Sequence, residues 1–116
     1  MRTLVITSTK RRCKIIGRIL KKAKNREHSF EFFFEKASSR IIQEKFELII
    51  VDIESSEKIE LLEKLLTDLM YAEYFPTILI LSKEIIPEES IPIENCYQFL
   101  NELELAHHLK CLESKE

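Results

Sequence analysis

The sequence predicts an α/β fold, a three-layer doubly wound sandwich built on a five-stranded parallel sheet. Three observations carry that reading. Residues 48–51 (LIIV) and 77–81 (TILIL) are apolar runs without alternation, as in strands buried on both faces. Stretches of helical periodicity lie between such runs. The alternation of strand and helix implies a parallel sheet covered on both sides, and right-handed crossovers then wind it doubly. At 116 residues and 45% apolar, the chain suits one domain with one core, residues 1–113, followed by a polar tail, residues 114–116.

The elements follow in order. Leu4, Val5 and Ile6 form the first strand, and Ser8 or Thr9 caps the helix after it. Ile15, Ile16, Ile19, Leu20 and Ala23 mark the inner face of that helix, and Lys24, Asn25 and Arg26 end it. Gly17 costs the helix about 1 kcal/mol relative to alanine, which suggests a close packing contact. Residues 30–34 (FEFFF) predict an edge strand. Ser38 and Ser39 precede a short helix over residues 40–45. The central strand, residues 48–53, runs into Asp52. Ser55 or Ser56 caps a third helix whose inner stripe is Leu61, Leu62, Leu65, Leu66, Leu69 and Met70. The fourth strand ends at Ser82. Pro87 and Pro92 argue against a full helix over residues 85–93, so the fourth helix is shortened or replaced by a loop. A fifth strand, residues 96–100, leads to a last helix with Leu105, Ala106, Leu109 and Leu112 inward.

Composition excludes several chemistries. One glycine leaves no GxGxxG or GxxxxGK[ST] phosphate loop, and no glycine-lined flavin site. Cys13, Cys96 and Cys111 are odd in number, widely spaced and without a CxxC, which argues against a disulfide framework or zinc site. His107 and His108 are adjacent and point about 100° apart on a helix, so they do not chelate together. No apolar run reaches a membrane span. The opening MRTLVITSTKRR reads as a strand and not a signal peptide, so a cytoplasmic location is expected. The net charge of −2 hides a split: residues 1–26 hold ten Lys or Arg and no acid. The remainder carries a net −12. Such asymmetry is a clue to partners.

A doubly wound domain of this length, with FELIIVD as its third strand, resembles the receiver domain of bacterial response regulators (two-component signalling, chemotaxis-regulator-like). The resemblance implies the flavodoxin-like strand order 2-1-3-4-5. It makes Asp52 the candidate phosphoacceptor, Ser82 the residue that closes the fourth strand, and Phe99 the aromatic on the fifth. Thr7 and Ser8 stand where the family holds the acidic pair that binds Mg²⁺. Asn101 or Glu102 stands where it has a lysine. Mg²⁺ favours carboxylate oxygens in octahedral geometry, and phosphoryl transfer needs the moving charge neutralised. The resemblance therefore implies a degenerate phosphorylation site.

The resemblance implies a pseudo-receiver: a signalling or protein-interaction module, not an enzyme, without the usual Mg-dependent phosphorylation. No cofactor is expected, and Mg²⁺ enters only if Asp52 is a working phosphoacceptor. The expected partners are proteins, a histidine kinase or another signalling protein among them. A homodimer is allowed, nucleic acid is not expected, and no membrane is implied. The alternatives are a functional receiver phosphorylated on Asp52, or an anion- or nucleic-acid-binding domain that uses the basic first helix. In that last reading Thr9, Lys10, Arg11 and Arg12 supply the contacts. The default for the basic face is a solvated surface paired with the acidic third or last helix.

Overall fold

The computed structural model describes residues 2–23, 27–87, 89, 91 and 94–114. Five parallel strands form one sheet in the order β2-β1-β3-β4-β5, as expected. They are β1 (Thr3–Ile6), β2 (His28–Glu31), β3 (Leu48–Ile53), β4 (Thr77–Ser82) and β5 (Cys96–Phe99). The helices are α1 (Lys10–Lys22), α2 (Phe34–Glu44), α3 (Ile59–Tyr71) and α4 (Glu102–Ser114). Every residue of β3 is buried, which is why its sequence lacks alternation.

Successive side chains of the central strands feed two cores. Val5, Leu48, Ile50, Leu79 and Leu81 meet Ile16 and Leu20 of α1 and Leu105 and Leu109 of α4. Leu4, Ile6, Ile49, Val51 and Ile80 meet Ala37 and Ile41 of α2 and the leucines of α3. The apolar stripe of α3 is narrower than its sequence suggests. Leu62, Leu65, Leu66 and Leu69 are buried, while Leu61 and Met70 are exposed at 36% and 40%. A 3₁₀ turn, Ser56–Lys58, precedes α3, and the N-cap position falls on Lys58, which makes no side-chain bond there.

The aromatic run is where sequence and structure part. β2 lies earlier than residues 30–34, pairing His28 to Glu31 with Thr3 to Ile6. Glu31 then ends the strand, its Oε2 accepting the N–H groups of Phe32 at 3.0 Å and Phe33 at 3.2 Å. Phe30 packs against the α1 side, whereas Phe34 opens α2 and faces the opposite core. Phe32 and Phe33 stay exposed. α2 is thus longer than the turn expected over residues 40–45. Ser38 lies within it and donates to Asp68 of α3 at 3.1 Å, so it is not a helix start. With Phe33 at its N-cap and no capping side chain, α2 lacks the usual start signal.

Between β4 and β5 the described residues form no α-helix, in keeping with the prolines. Pro92 and residues 88, 90 and 93 lie outside the described set, as do Lys24, Asn25 and Arg26. Ile86 fills the gap. Its side chain is buried against the α3 side, and the Gln98 amide clasps its N–H and its C=O, both at 2.8 Å. Burying such a side chain contributes about 1.5–3 kcal/mol. Asn101 precedes α4, and its Oδ1 accepts the Glu104 N–H at 3.0 Å. The helix continues to Ser114.

The close contact suggested for Gly17 is an ordinary one. A Cβ there would meet Phe30 Cζ at 3.7 Å. The methyl of Gly17→Ala therefore fits while the helix gains propensity. The substitution should stabilise the fold by about 0.5–1 kcal/mol, read from the midpoint of urea unfolding. A destabilised variant would mean that the helix needs the bare backbone.

Candidate functional site

Parallel pairing of Ile6 with Val51 places the next residues, Thr7 and Asp52, side by side at the carboxyl edge of the sheet. This is the β1/β3 junction, where the strand order reverses and ligands of doubly wound folds collect. Thr7 is 1% exposed and Asp52 4%. Thr7 Oγ1 donates to Asp52 Oδ2 at 2.9 Å.

A buried carboxylate needs a compensating charge, and it comes from α1. Thr9 caps the helix by accepting the Arg12 N–H at 3.3 Å, which sets Arg12 in the first turn beside the sheet edge. Arg12 Nε donates to Asp52 Oδ2 at 2.9 Å and Nη2 to Oδ1 at 3.1 Å, the two-pronged geometry in which guanidinium and carboxylate match best. Arg12 Nη1 reaches Glu102 Oε1 at 2.7 Å, and Nε lies 3.8 Å from Glu54 Oε1. Three carboxylates, from β3, the loop after it and the start of α4, thus converge on one guanidinium. The hydroxyls of Ser8 and Thr9 both point to Glu54, at 3.0 Å and 3.5 Å.

Mutual stabilisation shows in the protonation equilibria. Hydrogen bonds donated to Asp52 and then to Glu102 push Arg12 further up from its already high value, against the opposing effect of burial. Glu102 is held below the usual carboxylate range, first by the Arg12 hydrogen bond and then by the backbone at the start of α4. Cys13, on the next position of α1, is raised by burial and by the nearby Asp52 charge. Burial pushes Cys96 up to about 11. Thiols raised in this way are poor nucleophiles at neutral pH.

The sequence-predicted residues divide cleanly. Thr7, Ser8, Asp52 and Glu102 come together. Ser82 turns to its own chain, donating to the Glu84 carbonyl at 2.9 Å and accepting its N–H at 3.3 Å. Phe99 is half-buried under the His108 ring, centroids 5.0 Å apart, on the α4 side of β5. The His108 ring of α4 therefore packs against β5, while His107 is exposed. Lys10 and Arg11 are exposed. Arg12 and Thr9, read as contacts for an external anion, are committed to internal carboxylates instead. The physical reason is the buried Asp52, which outcompetes any solvated anion for the fork. What sequence reasoning missed is this partnership. Its signal was a paired exchange of charge: an acid at 102 where a base was expected, and an arginine three residues past the helix cap.

A cleft of about 480 Å³ opens above the ion pair, walled by Ile15, Leu81, Leu100 and Lys83 among others. The donor set does not suit magnesium. Hydroxyls follow β1, and both Asp52 oxygens already accept hydrogen bonds from Arg12. Among the described residues no helix is long and apolar enough to cross a membrane.

No protein-family model matches the chain, and no curated protein does. Solved structures do. The receiver domain of the histidine kinase CKI1 from Arabidopsis thaliana superposes with a TM-score of 0.67 at 16% identity, covering 97% of this chain and 89% of that one. Chemotaxis protein CheY4 of Vibrio cholerae gives 0.67 at 19% identity, covering 97% and 96%. A de novo designed Rossmann 2x3 protein gives 0.68 at 12% identity, covering 98% and 90%. A designed chain thus matches as well as natural receivers, so these likenesses establish the flavodoxin-like fold and nothing finer.

Removing Arg12 strands a buried charge. Arg12→Ala should cost about 3 kcal/mol at neutral pH in urea unfolding, and Arg12→Met with Asp52→Leu should recover most of that loss. An Arg12→Ala variant as stable as wild type would mean that the pair is idle. The lowered Glu102 pKa has a definite sign. Its ion pair contributes above the ordinary carboxylate value of about 4.3 and is lost as pH falls through the lowered folded value. Because the Glu102 side chain is 41% exposed, the effect is small, about 0.5 kcal/mol. Glu102→Gln should therefore be less stable than wild type at pH 7, with the gap closing below about pH 4. A gap that persists into acid would rule out this linkage.

Proposed function

We propose that the chain is a receiver-like signalling module in which Mg-dependent phosphorylation has been replaced by a permanent internal ion pair. It works as a protein-binding module and not as an enzyme. The observation that carries this reading is the engagement of Asp52. Its Oδ2 accepts from Arg12 and Thr7, and its Oδ1 accepts from Arg12.

The chemistry follows from those contacts. An acceptor carboxylate must present one oxygen in line with the leaving group while a cation neutralises the transferred charge. Attack through either Asp52 oxygen breaks a charge-assisted bond to a partly buried guanidinium. The phosphorylated product would also stand beside Glu54 and Glu102, and like charges there raise its energy. Arg12 is a tethered cation that neither dissociates nor responds to metal concentration. On this reading the module stays in one state, and its signalling rests on what its surface binds.

The test is exposure to a small acyl phosphate with Mg²⁺, read by intact mass. Wild type should gain no phosphoryl group, and its thermal midpoint should not respond to Mg²⁺. One added phosphoryl group, Mg²⁺-dependent and absent in Asp52→Ala, would overturn the proposal and make Asp52 a working acceptor.

A further inference from the structure

The charge split of the sequence becomes a surface feature in the fold. Lys10, Arg11, Lys14, Arg18, Lys21 and Lys22 of α1 are all exposed. At 100° per residue they fall within an arc of roughly 120°, on a stripe about 18 Å long. Arg12 alone of the helix's cations turns inward. Among the described residues none of the six pairs with a carboxylate. The internal neutralisation expected for them is not met. α3 packs on the opposite side of the sheet, and α4 faces α1 through Leu105 and Leu109, with Glu102 taken by Arg12.

The helix is worse for carrying this stripe. Lys10 and Lys14, Lys14 and Arg18, and Arg18 and Lys22 are like-charge neighbours four residues apart. No acid lies in the first turn, so Lys10 and Arg11 meet the positive end of the helix dipole. A local rule broken without a compensating contact among the described residues points to something outside them.

We propose that the outer face of α1 docks an acidic helical segment of a protein partner. The stripe is narrow and straight, and its cations repeat every three or four residues. Carboxylates on a helix laid alongside repeat with the same spacing. Other anionic partners fit less well. A helix that reads duplex DNA enters a groove about 8.5 Å deep. The far side of α1 is packed on the sheet, which limits how deeply the helix can enter such a groove. The remaining net −12 of the chain would also face the phosphates. A helix lying on a bilayer buries large apolar side chains in it, but those of α1 face the protein core. This proposal is independent of the ion pair at Asp52.

The test is fluorescence anisotropy with the full chain and three labelled probes: a helical Ala–Glu peptide with glutamates four residues apart, a short DNA duplex of matched charge, and vesicles of mixed phosphatidylcholine and phosphatidylserine. The peptide should bind most tightly, and raised salt should weaken it. Lys14→Glu with Lys21→Glu should weaken it at least about tenfold, with Tm unchanged or raised by a few degrees as the like-charge contacts are relieved. Tighter binding to the duplex or vesicles would overturn the proposal, as would peptide binding that the double substitution leaves intact. Sedimentation showing self-association that the same substitution abolishes would make the occupant a second copy instead. A fall in Tm would refute the premise that the face is unpaired.

Discussion

A carboxylate buried at the end of the central strand constrains the whole carboxyl edge of this sheet. Asp52 is almost out of solvent, and an unpaired charge there would be severely unfavourable. Arg12 resolves it with a two-pronged contact from the first turn of α1, and the same guanidinium collects Glu102 from the first turn of α4. Two helix starts are thereby tied to one strand end. Without Arg12 the β1/β3 junction would hold three carboxylates and lose the cation that forms ion pairs with them. Thr9 matters for the same reason, since its cap fixes the backbone that carries Arg12.

The legibility of the fold in the sequence follows burial. β3 and β4 are buried on both faces, so their apolar runs are unbroken and their spans read almost directly. β2 is an edge strand of four half-buried residues, HSFE, and the aromatic run beside it is a stronger strand signal than the strand itself. That run is divided among two cores and the solvent, a division made by Glu31 turning back on the chain. α2 has no capping side chain, so its start could not be seen. Of the site, the meeting of Thr7 with Asp52 follows from strand adjacency. The arginine fork does not, because it joins positions 12, 52 and 102, and only side-chain direction in three dimensions brings them together.

A guanidinium in this place differs from a metal in ways that bear on the proposed role. A bound metal is exchangeable, adds open coordination positions and leaves the carboxylate able to share its oxygens with a reacting group. A guanidinium offers fixed N–H directions and no coordination site, and it remains charged at any physiological pH. In the proposed role it secures the electrostatics of the site and takes the place of the reactive arrangement. Such a pair is also a weak source of net stability compared with apolar packing. Its presence is better understood as holding α1, β3 and α4 in one arrangement than as strengthening the fold.

The basic residues of α1 thus act in two different dielectric settings. Arg12 is mostly buried and pairs at short range, where salt screens little. The six outward cations stand in water, where attraction to a partner fades over a Debye length of about 8 Å at physiological ionic strength. Ionic strength therefore separates the two roles. The association proposed for the outer face would weaken as salt rises, while the arrangement of the sheet edge beneath it would stay put. One helix can then carry a rigid internal contact and an adjustable external one, because burial, not residue type, decides how each charge is felt.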